Sequence, residues 1–118
     1  MKIWFLTGEF APDFGGGIGT YVENCAKMFA KAGDDVTVIV RSINGNKTEK
    51  AKEGYRIERF QQGEGENYQY LGYDNALAYQ YYEVIMRMID KYGKPDIIEM
   101  QEYNAYGQYI IQSKLMLN

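Results

Sequence analysis

Gly15, Gly16, Gly17 and Gly19 place four glycines in five positions, between a short apolar run ending at Thr7 and an amphipathic stretch beginning at Ile18. Main chain bare of side chains lets a ligand come close, and a helix starting here offers unpaired N–H groups and the positive end of its dipole. Phosphate oxygens are the chemistry such a segment suits, and a diphosphate would use it most fully. The same glycines would also serve a tight strand-to-helix connection. Four of them weaken local order, however, a liability easier to understand where a ligand must approach. The candidate binding residues are therefore Gly15, Gly16, Gly17, Ile18 and Gly19.

Two familiar phosphate loops do not fit. A dinucleotide fingerprint needs G-x-G-x-x-G, but counting from Gly15 the sixth position is Thr20, and counting from Gly17 it is Val22. Arg41 stands at the end of the second β-rich run, where a NAD enzyme carries an acidic residue for the ribose. No G-K-[ST] follows the glycines, which removes the P-loop. With 13 basic and 16 acidic residues the net charge is −3, so no basic field for nucleic acid or an anionic membrane is expected. The single cysteine, Cys25, falls on the apolar side of a helical pattern. With no histidine in the chain to activate it, it reads as a core thiol rather than a nucleophile.

The elements that must position the glycines follow from periodicity. Lys2 to Thr7 is apolar and β-forming and stops at Gly8, as a buried parallel strand does. Ile18, Tyr21, Val22, Cys25, Phe29 and Ala32 recur at helical spacing up to a stop at Gly33. Asp35 to Arg41 is almost wholly β-branched and gives a second strand, after which Ser42 to Gly54 reads as a solvated connection. Tyr55 to Phe60 alternates apolar with charged residues, the pattern of a half-exposed strand at or near a sheet edge, and a parallel crossover into it is expected over an antiparallel hairpin. Asp74 is a helix N-cap candidate. The stripe Leu77, Tyr81, Val84, Ile85, Met88, Ile89 and Tyr92 follows, with Gly93 and Pro95 as stops and Asp96 to Met100 as a fourth strand. A further helical stretch covers residues 105 to 117.

These elements predict an α/β fold, a Rossmann-like three-layer α/β/α arrangement with an incomplete parallel sheet of about four strands in the order 3-2-1-4. A doubly wound sheet usually continues further, so residues 1–118 are expected to be one truncated domain of a longer enzyme, its fourth strand offering an exposed edge for self-association. The four consecutive apolar residues from Ile3 to Leu6 are too few for a signal segment or a membrane span. The expected location is the cytoplasm, with any membrane association peripheral. The 12 tyrosines, many of them between Tyr68 and Tyr109, read as amphipathic packing, with a sugar-facing wall as the sharper alternative.

The order of the Met1-Lys2-Ile3 strand, Glu9-Phe10-Ala11-Pro12, Gly15-Gly16-Gly17-Ile18-Gly19, a helix, and then Gly33-Asp34-Asp35-Val36-Thr37-Val38 resembles the start of glycosyltransferase family 4. These are retaining two-domain GT-B enzymes that include glycogen-synthase-like members. Lys94-Pro95-Asp96-Ile97-Ile98-Glu99 is similar to that family's Pro-Asp approach to the cleft. The resemblance implies transfer of a sugar from a nucleotide-sugar co-substrate to a glycan or small-molecule acceptor with retention, without a required metal or other cofactor. Residues 1–118 would be the amino-terminal, acceptor-side domain. The backbone N–H groups of Gly16 and Gly17 would help neutralise the departing diphosphate.

Many relatives carry two prolines where this chain has Ala11-Pro12, and a histidine after the fourth strand where it has Gln101-Glu102-Tyr103. The resemblance then assigns that polar role to Gln101 or Glu102, as contacts to a sugar hydroxyl or the donor. Glu102, the candidate catalytic residue, reads equally as a surface carboxylate ahead of a helix. The family's donor-nucleotide domain would lie beyond Asn118, so the isolated chain is expected to lack transferase activity, half a cleft being unable to hold both substrates in reacting geometry. The alternatives are a phospholigand-binding module without chemistry of its own, and an interaction domain that uses the exposed strand edge.

Overall fold

The computed structural model describes residues 1–8, 10, 17–61 and 73–100, without the side chains of residues 18 and 73–78. Two compact units emerge: Met1–Gln61 with Pro95–Glu99, and Gln62–Lys94 with Met100–Asn118.

The first unit is built on strands β1 (Lys2–Thr7), β2 (Asp35–Ser42), β3 (Lys47–Lys50), β4 (Arg56–Gln61) and β5 (Ile97–Met100), with helix α1 (Gly17–Lys31) between β1 and β2. The architecture is α/β and broadly Rossmann-like. β1 and β2 pair in parallel with Lys2 opposite Asp35 and Phe5 opposite Val38, and β2 pairs in parallel with β4, Val38 opposite Ile57. The crossover into β4 is thus parallel, as the spacing predicts.

The four expected strands keep their expected order as β4-β2-β1-β5, and the sheet corrects the expectation in count and uniformity by adding a strand at the edge. It has five strands in the order β3-β4-β2-β1-β5, and it is mixed, because β3 runs antiparallel to β4 with Thr48 opposite Glu58. Lys47–Lys50 arises inside the stretch expected to be a solvated connection. Its four residues carry no apolar side chain, so no hydrophobic pattern announces a strand. Pairing comes from the backbone and from charge: Thr48 Oγ1 donates to the Glu58 carboxylate at 2.9 Å, and Arg59 Nε donates to Glu49 Oε1 at 2.7 Å. Cross-strand pairs of this kind stabilise a ladder where apolar contacts are missing. β4 is consequently not the edge. Two glycines shape the turns on either side of β3, Gly45 at φ 98° and Gly54 at φ 102°, a region L side chains rarely enter.

Alternation along the strands separates two faces. Ile3, Phe5, Val36, Val38, Val40 and Ile57 share a core with Val22 and Ala26 of α1, and Cys25 and Phe29 pack against it half-buried. Trp4, Leu6 and Ile39 point the other way and are also buried. Tyr21, expected on the apolar stripe of α1, is instead 52 % exposed. α1 ends as a Schellman motif. Asp34 N–H donates to the Phe29 carbonyl at 3.1 Å and Gly33 N–H to the Ala30 carbonyl at 3.0 Å, with Gly33 at φ 95°. β5 is anchored ahead of its first residue, because Asp96 N–H donates to the Lys2 carbonyl at 2.8 Å and Lys2 N–H to the Asp96 carboxylate at 2.7 Å. The aspartate of the Pro95-Asp96 pair therefore closes the amino end of β1.

In the second unit, α2 (Tyr73–Tyr92) carries buried Tyr81, Val84, Ile85 and Met88 at helical spacing, with Ile89 and Tyr92 half-buried. Tyr81, fully buried, follows the packing account of the tyrosines. The helix starts two residues earlier than expected, so Asp74 lies in its first turn rather than at its N-cap position. Gly93 at φ 84° donates to the Ile89 carbonyl at 2.8 Å and ends it. Among the described residues no helix is long and apolar enough to cross a membrane.

Candidate functional site

α1 is tied at its carboxyl end to the amino end of β1. The Met1 amino group donates to Asp34 Oδ1 at 2.8 Å, and Asp35 N–H donates to the Met1 carbonyl at 2.9 Å. Fifteen helical residues span about 22 Å, and the six residues of β1 span about 20 Å. The helix therefore runs back along the length of the strand, and its amino end arrives level with the carboxyl end of β1. In open α/β sheets that is where ligands sit.

Gly17, Ile18 and Gly19 form the first turn of α1, not the loop before it. The helix starts one residue earlier than the periodicity predicts because glycine gives no apolar signal of its own. Gly15, Gly16, Gln101 and Glu102 lie outside the described residues, so three of the seven predicted site residues are placed here, all on one helical turn.

Gly17 is exposed, its φ is not positive, and a Cβ built on it would meet nothing within 4 Å among the described residues. Neither backbone conformation nor packing against those residues calls for glycine at this position. Gly33, Gly45, Gly54 and Gly93 differ in this respect, since each adopts a positive φ. The account in which the glycines merely shape a tight connection therefore finds no support at Gly17.

Arg41 went unrecognised in the sequence as a positive feature. It is half-buried near the end of β2 and its Nε donates to the Gly8 carbonyl at 3.2 Å, which sets a guanidinium beside the residue that follows β1. A signal was present: a lone cation after five residues of β-branched, apolar-faced strand, at the carboxyl end of a strand parallel to the one preceding the glycines. Nearby, Gly45 N–H donates to Gln61 Oε1 at 2.7 Å and Gln61 N–H to Asn46 Oδ1 at 2.6 Å, which joins the turn after β2 to the end of β4.

One turn into α1, Tyr21 donates its hydroxyl to Glu99 Oε1 of β5 at 3.2 Å. The Cys25 thiol one helical turn further on, and then the Glu99 carboxylate, push the Tyr21 hydroxyl up to about 12, because both favour its neutral, donating form. A proton held more tightly in the folded state contributes stability that is present below pH 10 and is lost as pH rises through about 12. In an ultraviolet titration of phenolate absorbance, the step near pH 12 is expected to disappear in Tyr21→Phe. Persistence of that step would remove the Cys25 and Glu99 contacts as its cause.

Among the described residues no group of three or more histidine, cysteine, aspartate or glutamate side chains could hold a metal ion. No protein-family model matches the chain, and no curated protein matches it.

Proposed function

We propose that the chain is the acceptor-side, amino-terminal domain of a retaining, nucleotide-sugar-dependent glycosyltransferase, and that its glycine segment receives the donor diphosphate. The observation that carries this proposal is Gly17, a bare position at the amino end of α1 that neither its backbone conformation nor packing against the described residues demands. Arg41 beside Gly8 supports it, since a cation at the mouth of the sheet suits an anion and opposes a ribose-binding acid there. The segments likened to family 4 supply the reaction class.

In such a transfer the bond between the sugar and the diphosphate breaks and negative charge grows on the departing phosphate. Donors fixed before the reaction stabilise that charge without reorganising. The amides and dipole of α1 would act in this way at neutral pH with no titrating side chain, and Arg41 would add a full positive charge. Gln101 and Glu102 keep their proposed roles toward a sugar hydroxyl or the donor, and a second α/β domain in a longer protein would hold the nucleotide.

Calorimetric titration with UDP, GDP and ADP, each set beside its nucleoside, tests the proposal. Binding is expected to require the diphosphate and to weaken as salt is raised, because charge screening acts on the phosphate contacts. Nucleosides binding as tightly as diphosphates, or diphosphates giving no heat and no melting shift, would remove it.

A further inference from the structure

β2 and β4 follow β1 on one side and β5 lies on its other side, so the order of the sheet reverses between β1 and β5. At such a reversal a crevice opens outside the carboxyl ends of the strands, and ligands of open α/β sheets bind there. Tyr21, one turn into α1, and Glu99, the last residue but one of β5, meet across this boundary, the Tyr21 hydroxyl donating to Glu99 Oε1 at 3.2 Å. Glu99 Oε2 receives no hydrogen bond from the described residues. From this placement we infer that Tyr21 and Glu99 form the sugar side of the site, taking the hydroxyl-bearing group joined to the phosphate. The inference deepens the diphosphate assignment and rests on it.

Gly17 and Tyr21 are four residues apart on α1, so both lie on the flank turned toward β5. Glu23 and Lys27 occupy the opposite flank, where Lys27 stands 3.0 Å from Glu23 and 4.0 Å from Glu53 in the turn before β4. A group bound at Gly17 therefore has Tyr21 one helical turn away, about 5.4 Å along the axis, and Glu99 beside it. Two chemistries meet at that spacing. The amides and dipole at Gly17 favour an anion, whereas the Glu99 carboxylate repels a second anion and accepts from hydroxyl groups. A ligand lodged there is oriented, with phosphate on the glycine and hydroxyls on the acid. Tyr21 is 52 % exposed, and its ring, tethered through Glu99, offers an apolar face to the C–H side of a sugar. A phenol kept for packing alone would bury its ring, as Tyr81 does.

The test titrates the whole chain by calorimetry with UDP, with methyl phosphate and with the 1-phosphates of glucose, galactose and mannose. The dissociation constant for methyl phosphate divided by that for a hexose 1-phosphate measures what the hydroxyls add. Taken within each variant, this ratio cancels any unfolded fraction. In the wild type it is expected to reach about ten for at least one hexose, the weight of one hydrogen bond to a charged group. Glu99→Gln, which keeps an acceptor for Tyr21 and removes the charge, should lower it to about three or less. Methyl phosphate should bind that variant as tightly as before or more so, because a like charge has gone. Tyr21→Phe, which keeps the ring and removes the hydroxyl, should lower the ratio by a smaller factor. A pair that only ties α1 to β5 would, when cut, weaken every phosphate alike, so an unmoved ratio in Glu99→Gln overturns the inference. Wild-type chain that binds UDP but gives methyl phosphate and all three hexose 1-phosphates the same affinity overturns it too, and leaves the diphosphate assignment standing. Wild-type chain that binds neither UDP nor any of the four overturns both.

Discussion

Valine at position 17 is expected to raise the dissociation constant for a nucleoside diphosphate about a hundredfold or more while leaving the fold intact. Both halves of this result follow from the same geometry. A Cβ at Gly17 meets no described atom within 4 Å, and the backbone there is not in the positive-φ region, so the added side chain neither clashes nor strains. Valine is a slightly better helix former than glycine, so stability should hold or rise by a few tenths of a kcal/mol. A ligand using the amides of the first turn would meet two new methyl groups where phosphate oxygens belong. Hydrogen bonds to a charged group contribute roughly 1.5–3 kcal/mol each, and losing the equivalent of about 2.8 kcal/mol weakens binding about a hundredfold. Gly17→Ala should fall between. Calorimetry paired with thermal melting reads both quantities, and a dissociation constant within twofold of wild type would mean that nothing anionic approaches that turn.

The elements with apolar periodicity were legible in the sequence, and those without it were not. β1 and β2 declare themselves because both faces are buried and the runs are nearly continuous. The ends of α1 and α2 declare themselves because Gly33 and Gly93 adopt the left-handed conformation that glycine favours. β3 was hidden because Lys47-Thr48-Glu49-Lys50 reports its pairing only through partners distant in sequence, Glu58 and Arg59. The same blindness concealed the burial of Arg59, since a charged residue in an alternating pattern reads as solvent-facing until its counter-ion is located. At the site, the glycine segment was visible as composition, whereas Arg41 was visible only as the absence of an acid. Its contact with Gly8 depends on the parallel register of β1 and β2, which a linear pattern does not contain.

Replacing Phe5 with alanine is expected to cost about 3–5 kcal/mol of stability. Phe5 sits in the middle of β1, 1 % exposed, opposite Val38 in register and 6.3 Å from the Phe29 ring between centroids. Val22 and Ala26 of α1 share its cluster with Ile3, Val36 and Val40, so the lost ring leaves space that the strand cannot close without breaking its pairing with β2. Domains of this size are typically stable by about 5–15 kcal/mol, so the loss takes a large share. In urea the midpoint should fall by roughly 1–3 M with an unchanged slope. Met28→Ala, at a position on the same helix that is 58 % exposed, should stay within about 0.5 kcal/mol. The consequence for function is indirect but measurable. α1 presents its amino end to the mouth of the sheet only while its buried side is seated on β1 and β2, so diphosphate binding in Phe5→Ala should fall in proportion to the unfolded fraction and return when the temperature is lowered. A loss below about 1 kcal/mol would mean that the helix is held by something other than this core.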